Sequence, residues 1–545
     1  MINISFINFS VILRFKNLLE KMSKAANMAK VSARGGFNLL WGLVASTVIS
    51  AVGTIFIANS IGDVNFGLFT IALVAPNLIS LFRDWGVSTA MIKYTAQYNA
   101  EDKAAEIRSI FVTGILFETI LGVALSAVAF LLSGLLASLY SLPKITPLIQ
   151  ISSFMILTGA LLSTAQSAFT GIEKLELNSV TLISQSIVKT VVSIVLVIIG
   201  LGPLGAVIGY QISLVTSCLI GVFLMWTIYM SLPKPAHGKL EVMATMKTLL
   251  NYGLPMQIAG FISSFQSQFY AFILPIFVRP DLIGNYGIAN TVVVLISFFS
   301  VPIATVLFPA FSKLDPKKDR ETLQNAYQFS VKYASLFVVP VAAIVMTLSV
   351  QGIHLLFAGK YSEAPLFLSL LAFSSLFTAF GTISTGTLIA GQSLTKFNLK
   401  LTIISAVIGF PVGVVLISQF GVIGLIITNL SIGWPSTIIA LRWFKKEYGV
   451  TVNWISSAKT LLSSATASAA TYTIITIAPL GDWMKLIIGA IIFTVVLVMV
   501  TLLARTIDRT DINNLKDMLK ELGPFRGLFN FLLKIIEKLM NALKL

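Results

Sequence analysis

Charge is scarce in this chain of 545 residues. Asp, Glu, Lys and Arg make up 11%, where a soluble domain carries about 25%. That excludes a large soluble enzyme, and the apolar content excludes a disordered chain. Cysteine is nearly absent. The one residue, Cys218, lies in an apolar stretch, so there is neither a disulfide framework nor a Cys-rich metal site. Histidine is limited to His237 and His354, which gives no basis for a His-based metal or acid–base centre. What abounds is apolar: 56% of the residues are hydrophobic and the mean hydropathy is +0.90. At about 20 residues per crossing, this suffices for a dozen or more transmembrane helices. The apolar runs are continuous rather than alternating, which excludes a β-barrel.

Fourteen apolar segments are predicted as spans, near 36–60, 64–83, 109–136, 147–170, 178–200, 203–229, 248–276, 283–311, 331–353, 365–390, 400–418, 421–441, 457–478 and 484–505. Charge tests the count. With the N-terminus in the cytoplasm and the loops alternating, 33 of the 38 basic residues fall on the cytoplasmic side. The outer side receives Lys144, Arg279, Lys360 and Lys485, and Lys189 falls inside a span. A missed helix would flip every later loop and spoil this asymmetry, so both termini are expected in the cytoplasm. The net charge of +16 is spread over eight segments, which argues against nucleic acid as a partner. Residues 5–27 are expected to form a surface helix, and 527–545 an amphipathic helix in the headgroup layer or packed on the loops.

Shifted by about 217 residues, the chain partly matches itself. Gly36 falls on Gly253, Gly67 on Gly284, Phe69 on Tyr286 and Ala72 on Ala289. Leu78 to Phe82 falls on Leu295 to Phe299. Later, Pro147 meets Pro365, Gly171 meets Gly391, Asn178 meets Asn398, and Gly202 and Gly205 meet Gly421 and Gly424. Six spans per copy is an even number, so both copies share one orientation, as in parallel-repeat transporters. The expected fold is an all-α polytopic membrane protein. Its two six-helix pseudo-repeats form N- and C-lobes around a central cavity, with two extra C-terminal helices. The expected divisions are a cytoplasmic segment 1–35, an N-lobe 36–229, an inter-lobe loop 230–247, a C-lobe 248–446, spans 13 and 14 in 447–505 and a cytoplasmic tail 506–545.

Several motifs carry a family resemblance: Gly67-Leu68-Phe69, Gly86 to Tyr98, Gly171-Ile172-Glu173-Lys174, Gly202 to Gly205, Gly253-Leu254-Pro255, and Leu356 to Tyr361 with Ala364. Over residues 30–445 the chain resembles the Wzx-like polysaccharide-biosynthesis flippases of the multidrug/oligosaccharidyl-lipid/polysaccharide (MOP) exporter superfamily. The resemblance implies movement of a polyprenyl-phosphate- or polyprenyl-diphosphate-linked oligosaccharide from the cytoplasmic to the outer leaflet by alternating access in the cell membrane. Its implied partners are the lipid-linked glycan, membrane lipids, H⁺ or Na⁺ as coupling ion, and glycan-assembly enzymes. No cofactor and no catalysis are implied. Two alternatives stay open, a cation-coupled drug antiporter and a lipid II-type flippase. The first span carries neither the acid expected of many antiporters nor the arginine expected of lipid II flippases.

Flipping requires a wet, cationic cavity, so charge inside spans is the first place to look. Glu118 and Lys189 each cost roughly 2.5–3.5 kcal/mol at mid-helix and therefore need a partner or water. Two readings stand. Either Lys189 faces the cavity and binds the phosphate while Glu118 tunes it or exchanges a cation, or the two form a structural pair. Lys189 continues a polar stripe through Asn178, Thr181, Gln185 and Ser193. Glu118 shares its face with Gly114, Gly122 and Ser126, which suits close helix contact. Arg34, Arg83 and Lys93 at the cytoplasmic rim either collect an anionic headgroup or serve as ordinary positive-inside anchors. The resemblance places the first and seventh spans beside the cavity. Gln257, Gln266 and Gln268 then become candidates for the glycan or for helix packing, with Asn38 and Asn290 as weaker ones.

Overall fold

The structure, a computed structural model, describes residues 9–233, 241–507, 511–512 and 537. The side chains of residues 9–38, 40, 298–299, 301–302 and 305–306 lie outside that description. So do His237 and, apart from residue 537, the tail helix expected at 527–545. Among the described residues no strand forms. An apolar chain in lipid has no water to satisfy its backbone, and the helix satisfies each N–H and C=O within its own segment.

The helices run in order α1 (Phe9–Ser80), α2 (Val87–Ala100), α3 (Ala104–Leu139), α4 (Thr146–Ser153), α5 (Met155–Gly171), α6 (Leu175–Leu196) and α7 (Gly202–Ser231). They continue as α8 (Val242–Phe277), α9 (Pro280–Val293), α10 (Ser297–Ser312), α11 (Arg320–Thr347), α12 (Ser349–Phe357), α13 (Ala364–Phe373) and α14 (Thr382–Gly391). The last are α15 (Thr395–Glu447), α16 (Trp454–Ile477) and α17 (Asp482–Leu503). Seven runs among the described residues are long and apolar enough to cross a membrane: Trp41–Ser80, Ala104–Leu139, Pro143–Gly171, Leu175–Ser231, Arg320–Thr347, Thr395–Glu447 and Asp482–Leu503. An eighth joins α13 and α14 across a 60° bend. The protein is therefore a multi-pass membrane protein. Three long runs contain a break at glycine. Gly62 has φ 77° and ψ 175° in α1, Gly202 has φ 52° and ψ −131° between α6 and α7, and Gly421 has φ 58° and ψ −128° in α15. A side chain at such positive φ would clash with the backbone, so only glycine turns the chain there without strain.

The chain divides into two compact units. Unit 1 holds Met1–Ile57 and Ala72–Gly260. Its core joins Val87 and Met91 of α2, Ile107 and Phe111 of α3, Phe169 of α5, Met225 of α7 and Leu249 of α8. Arg108 closes the core's end, donating to the Leu232 carbonyl at 2.7 Å with its guanidinium 4.0 Å from the Tyr229 ring. Unit 2 holds Ala58–Ile71 and Phe261–Leu545. One of its cores packs Phe311, Leu323, Tyr327, Leu388 and Phe444 from α10, α11, α14 and α15. The turn 58–71 is bound into this unit by the Leu356–Tyr361 motif. The Tyr361 hydroxyl donates to the Ala58 carbonyl at 2.9 Å, and the Asn59 amide donates to the Leu356 carbonyl at 2.7 Å. Asn285 of α9 accepts from the Glu363 and Ala364 amides, each at 3.0 Å, and so satisfies two free donors at the start of α13.

Candidate functional site

The site forms in unit 1, where α1 ends. Pro76 lies inside the last turns of α1, and three tight backbone bonds from Leu81, Phe82 and Arg83 back to Leu78, Ile79 and Ser80 close the helix. The chain then reverses at Gly86, φ 82°, to start α2. Gly86 meets Gly253 of α8 backbone to backbone, and a Cβ at Gly86 would fall 2.2 Å from the Gly253 carbonyl oxygen. Asp84 accepts from the Gly86 amide at 2.9 Å, which holds the turn. This geometry turns Arg83 inward.

Arg83 meets Glu118 of α3, Nη1 to Oε2, at 3.3 Å. The Glu118 side chain is 1% exposed and that of Arg83 15%. The glycines flanking Glu118 do what their spacing predicted. Gly114 lies against Met91 of α2, Gly122 lies against Leu157 and Ala160 of α5, and Ser126 accepts from the Leu157 amide at 3.2 Å. The carboxylate is thus sealed between α2, α3 and α5, and the sequence's option of a Glu118–Lys189 ion pair is replaced by Glu118–Arg83. Helical spacing in the sequence set the neighbours of Glu118 and Lys189 along α3 and α6. It carried no information about the turn that brings an arginine guanidinium onto α3.

Arg83 also lines a cavity of about 180 Å³ in the same unit. Asn77, Ser80 and Tyr210 contribute its other polar walls, and Met155, Ile156 and Leu214 its apolar ones. Behind Tyr210 stands Lys189, its ammonium 5.2 Å from the ring centroid. Arg83 borders this space directly, while Lys189 lies beside the Tyr210 ring and is not among the residues that line it. The space is below the roughly 300–1,000 Å³ of a drug-sized site, so it suits a compact anionic group rather than a sugar chain.

The other expected residues fall elsewhere. Lys93 on α2 is exposed and rests on Tyr252 at 3.8 Å and Tyr94 at 4.5 Å, so it and Arg83 have different partners. The side chains of Arg34 and Asn38 lie outside the described residues. Gln185 is half-buried one turn before Lys189. Gln266 is buried, donating to the Tyr270 hydroxyl at 2.8 Å and the Ser405 carbonyl at 3.2 Å, so it joins α8 to α15. Gln257 and Gln268 are half-buried on α8, and Asn290 is exposed on α9. Sequence reasoning missed Asn77, Ser80 and Tyr210. The signal available was a polar pair at the Pro76 end of an apolar span and a tyrosine one helix turn after Gly205.

Residues 32–315 match the family model described as polysaccharide biosynthesis protein. The chain belongs to that family. The resemblance read from the glycine motifs, to polysaccharide-biosynthesis members of the MOP superfamily, is borne out. Within the polysaccharide biosynthesis family's reach, the chain is similar to the lipopolysaccharide biosynthesis protein WzxC of Escherichia coli, 24% identical over 408 residues, covering 73% of this chain and 78% of that one. It is also similar to the probable low-salt glycan biosynthesis flippase Agl15 of Haloferax volcanii, 23% identical over 313 residues, covering 56% of this chain and 64% of that one. Among solved structures, the lipid II flippase MurJ in an inward closed conformation superposes with a TM-score of 0.67 at 15% identity, over 86% of this chain and 98% of that one. The shared element is the all-helical fold.

Proposed function

We propose that this protein is a flippase, moving a polyprenyl-phosphate- or diphosphate-linked oligosaccharide from the cytoplasmic to the outer leaflet of the cell membrane by alternating access. One observation carries the reading: within an apolar helical bundle of this family, Arg83 lines a small polar cavity whose Tyr210 wall rests on Lys189. Charges in lipid are costly, and a cation lining a polar cavity in a bundle is what an anionic headgroup requires. The cavity takes the phosphate, while the sugars occupy wider space and the prenyl chain stays in lipid.

The reading includes fourteen spans with both termini in the cytoplasm. Run length supports the count. Trp41–Ser80 covers 40 residues, about 60 Å at ~1.5 Å each, or twice the hydrocarbon layer. Leu175–Ser231 and Thr395–Glu447 are longer still, and each of the three breaks at glycine. These three count twice, and the other four long runs once. The bent pair, α8, α9 with α10, and α16 complete the set. The α8 helix is less apolar because it carries Gln257, Ser263, Ser264, Gln266, Ser267 and Gln268.

The reading also includes two lobes from a duplication, near 36–229 and 248–446. Gly202 and Gly421, matched by sequence alone, share one rare conformation, φ/ψ 52°/−131° against 58°/−128°. Gly205 and Gly424, matched likewise, pack on the preceding helix end at Leu196 and Leu416. Gly67 packs on Pro280 while Gly284 packs on Asp63, and each residue's mate is about 217 positions away. Reciprocal contacts of this kind support a duplication of the sequence.

The test is reconstitution of the full chain in liposomes, with lipid-linked oligosaccharide and cationic dyes offered separately. Wild type is expected to move the glycolipid, and Arg83→Gln or Lys189→Met to slow it at least tenfold at equal incorporation. Movement of dyes alone would overturn the reading.

A further inference from the structure

Three features of the Arg83–Glu118 pair point beyond a static ion pair. The first is its economy. Glu118 has one strong partner, and its second oxygen, Oε1, is buried without a hydrogen bond. Buried carboxylates normally satisfy both oxygens. The second is the orientation of Arg83. Its Nη1 holds Glu118, its Nε is also buried without a partner, and its side chain lines the cavity. A guanidinium has five donors in a fork, so one further anion can engage the donors that Glu118 leaves idle. The third is the surroundings. Arg83 comes from the turn after α1, with Asp84 as the next residue. The α2 and α5 side chains packed on Gly114 and Gly122, one turn to either side of Glu118, are Met91, Leu157, Ala160 and Thr164, none of which titrates. Lys189 lies against the Tyr210 ring. Among the described residues, Arg83 is the one cation in an ion pair with Glu118.

We propose that Arg83 is exchanged between Glu118 and the phosphate of the substrate, so that headgroup binding obliges Glu118 to take up one proton. This rests on the reading that the cavity receives the phosphate. In the empty state Arg83 neutralises Glu118. When a phosphate enters, its charge draws the guanidinium toward the cavity. The carboxylate, 1% exposed, is left as an uncompensated buried charge, which is strongly unfavourable. The outcome for such a group is protonation rather than persistence as an ion. One Glu118 oxygen forms an O–H bond with a proton from hydronium in the cavity, whose own O–H bond breaks to leave water, and bulk solvent resupplies the proton. Release of the headgroup returns Arg83 to Glu118 and expels the proton. The ion taken up is thus a proton, because one carboxylate alone supplies too few oxygen ligands for a metal cation. Glu118 acts through Arg83 and is a positioning residue. Because bound protein holds one more proton than free protein, affinity must fall as pH rises, toward about tenfold per pH unit where free Glu118 is ionised.

The experiment is calorimetry on the full chain in nanodiscs. The probe is farnesyl-diphosphate-linked N-acetylglucosamine, a disubstituted diphosphate whose charges do not titrate near neutrality. Titrations in buffers of different ionisation enthalpy give the protons absorbed per probe bound. Wild type is expected to absorb about one proton per probe, and its affinity to fall with pH. Glu118→Gln, isosteric and already neutral, should bind at least as tightly, absorb none and lose the pH dependence. Arg83→Gln should bind at least tenfold more weakly, with Arg83→Lys recovering part of that loss. Binding that depends on Arg83 without proton uptake, or uptake that persists in Glu118→Gln, overturns the exchange and leaves the flippase reading standing. Binding that ignores Arg83 overturns the assignment of the cavity itself.

Discussion

The turn that aims Arg83 rests on two glycines in backbone contact, and substituting them separately measures what holds it. At Gly86 an alanine meets two penalties. Its φ of 82° is left-handed, which costs about 1–2 kcal/mol for a residue with a Cβ. That Cβ would also stand 2.2 Å from the Gly253 carbonyl oxygen, a backbone atom that cannot rotate away. Overpacking of this kind costs typically 1–3 kcal/mol, so Gly86→Ala should lose roughly 2–5 kcal/mol. At Gly253 an alanine meets only the steric penalty, since its Cβ would fall 2.3 Å from the Gly86 carbonyl oxygen and its φ is not positive. Gly253→Ala should therefore lose about 1–2 kcal/mol less than Gly86→Ala. In detergent, at one scan rate, the apparent unfolding midpoint should fall in that order, by several degrees for Gly86→Ala. The same variants should lose transport, because a shifted turn moves Arg83 off α3. A Gly86→Ala midpoint equal to wild type, or one above that of Gly253→Ala, would refute the reasoning.

Lys189→Arg should keep most glycolipid movement, because the cation still reaches Tyr210, whereas Tyr210→Ala should slow it by removing an interaction of about 0.5–2 kcal/mol. Liposome flux with equal protein incorporation measures both. Gln266→Leu should lower the unfolding midpoint by stranding the Tyr270 hydroxyl and the Ser405 carbonyl, at about 1–3 kcal/mol, while leaving binding of the probe glycolipid unchanged. Gly202→Ala and Gly421→Ala should each lose about 1–2 kcal/mol from backbone strain. The loss should be larger at Gly421, where a Cβ would also press on Val278 at 3.1 Å, and stability curves of the two variants compare them directly.

The sequence alone determined the solvent of this protein and the rhythm of its helices. Apolar run length and the cost of unsatisfied backbone in lipid leave one kind of secondary structure. It also located Glu118 and Lys189, because a charge inside an apolar run needs no structure to be noticed. The matched glycines were visible too, and Gly202 and Gly421 turned out to share a backbone conformation that side chains forbid. Only tertiary structure decided the partners. Gln266 could have faced a glycan or a neighbouring helix, and it bonds to α8 and α15. Arg83 read as one of several rim cations, yet the Gly86 turn folds it onto Glu118 and into a cavity shared with Tyr210. Helical period fixes which residues share a face of one helix. Which faces meet depends on turns and on glycine contacts between segments distant in sequence, and the charge pairing follows from those.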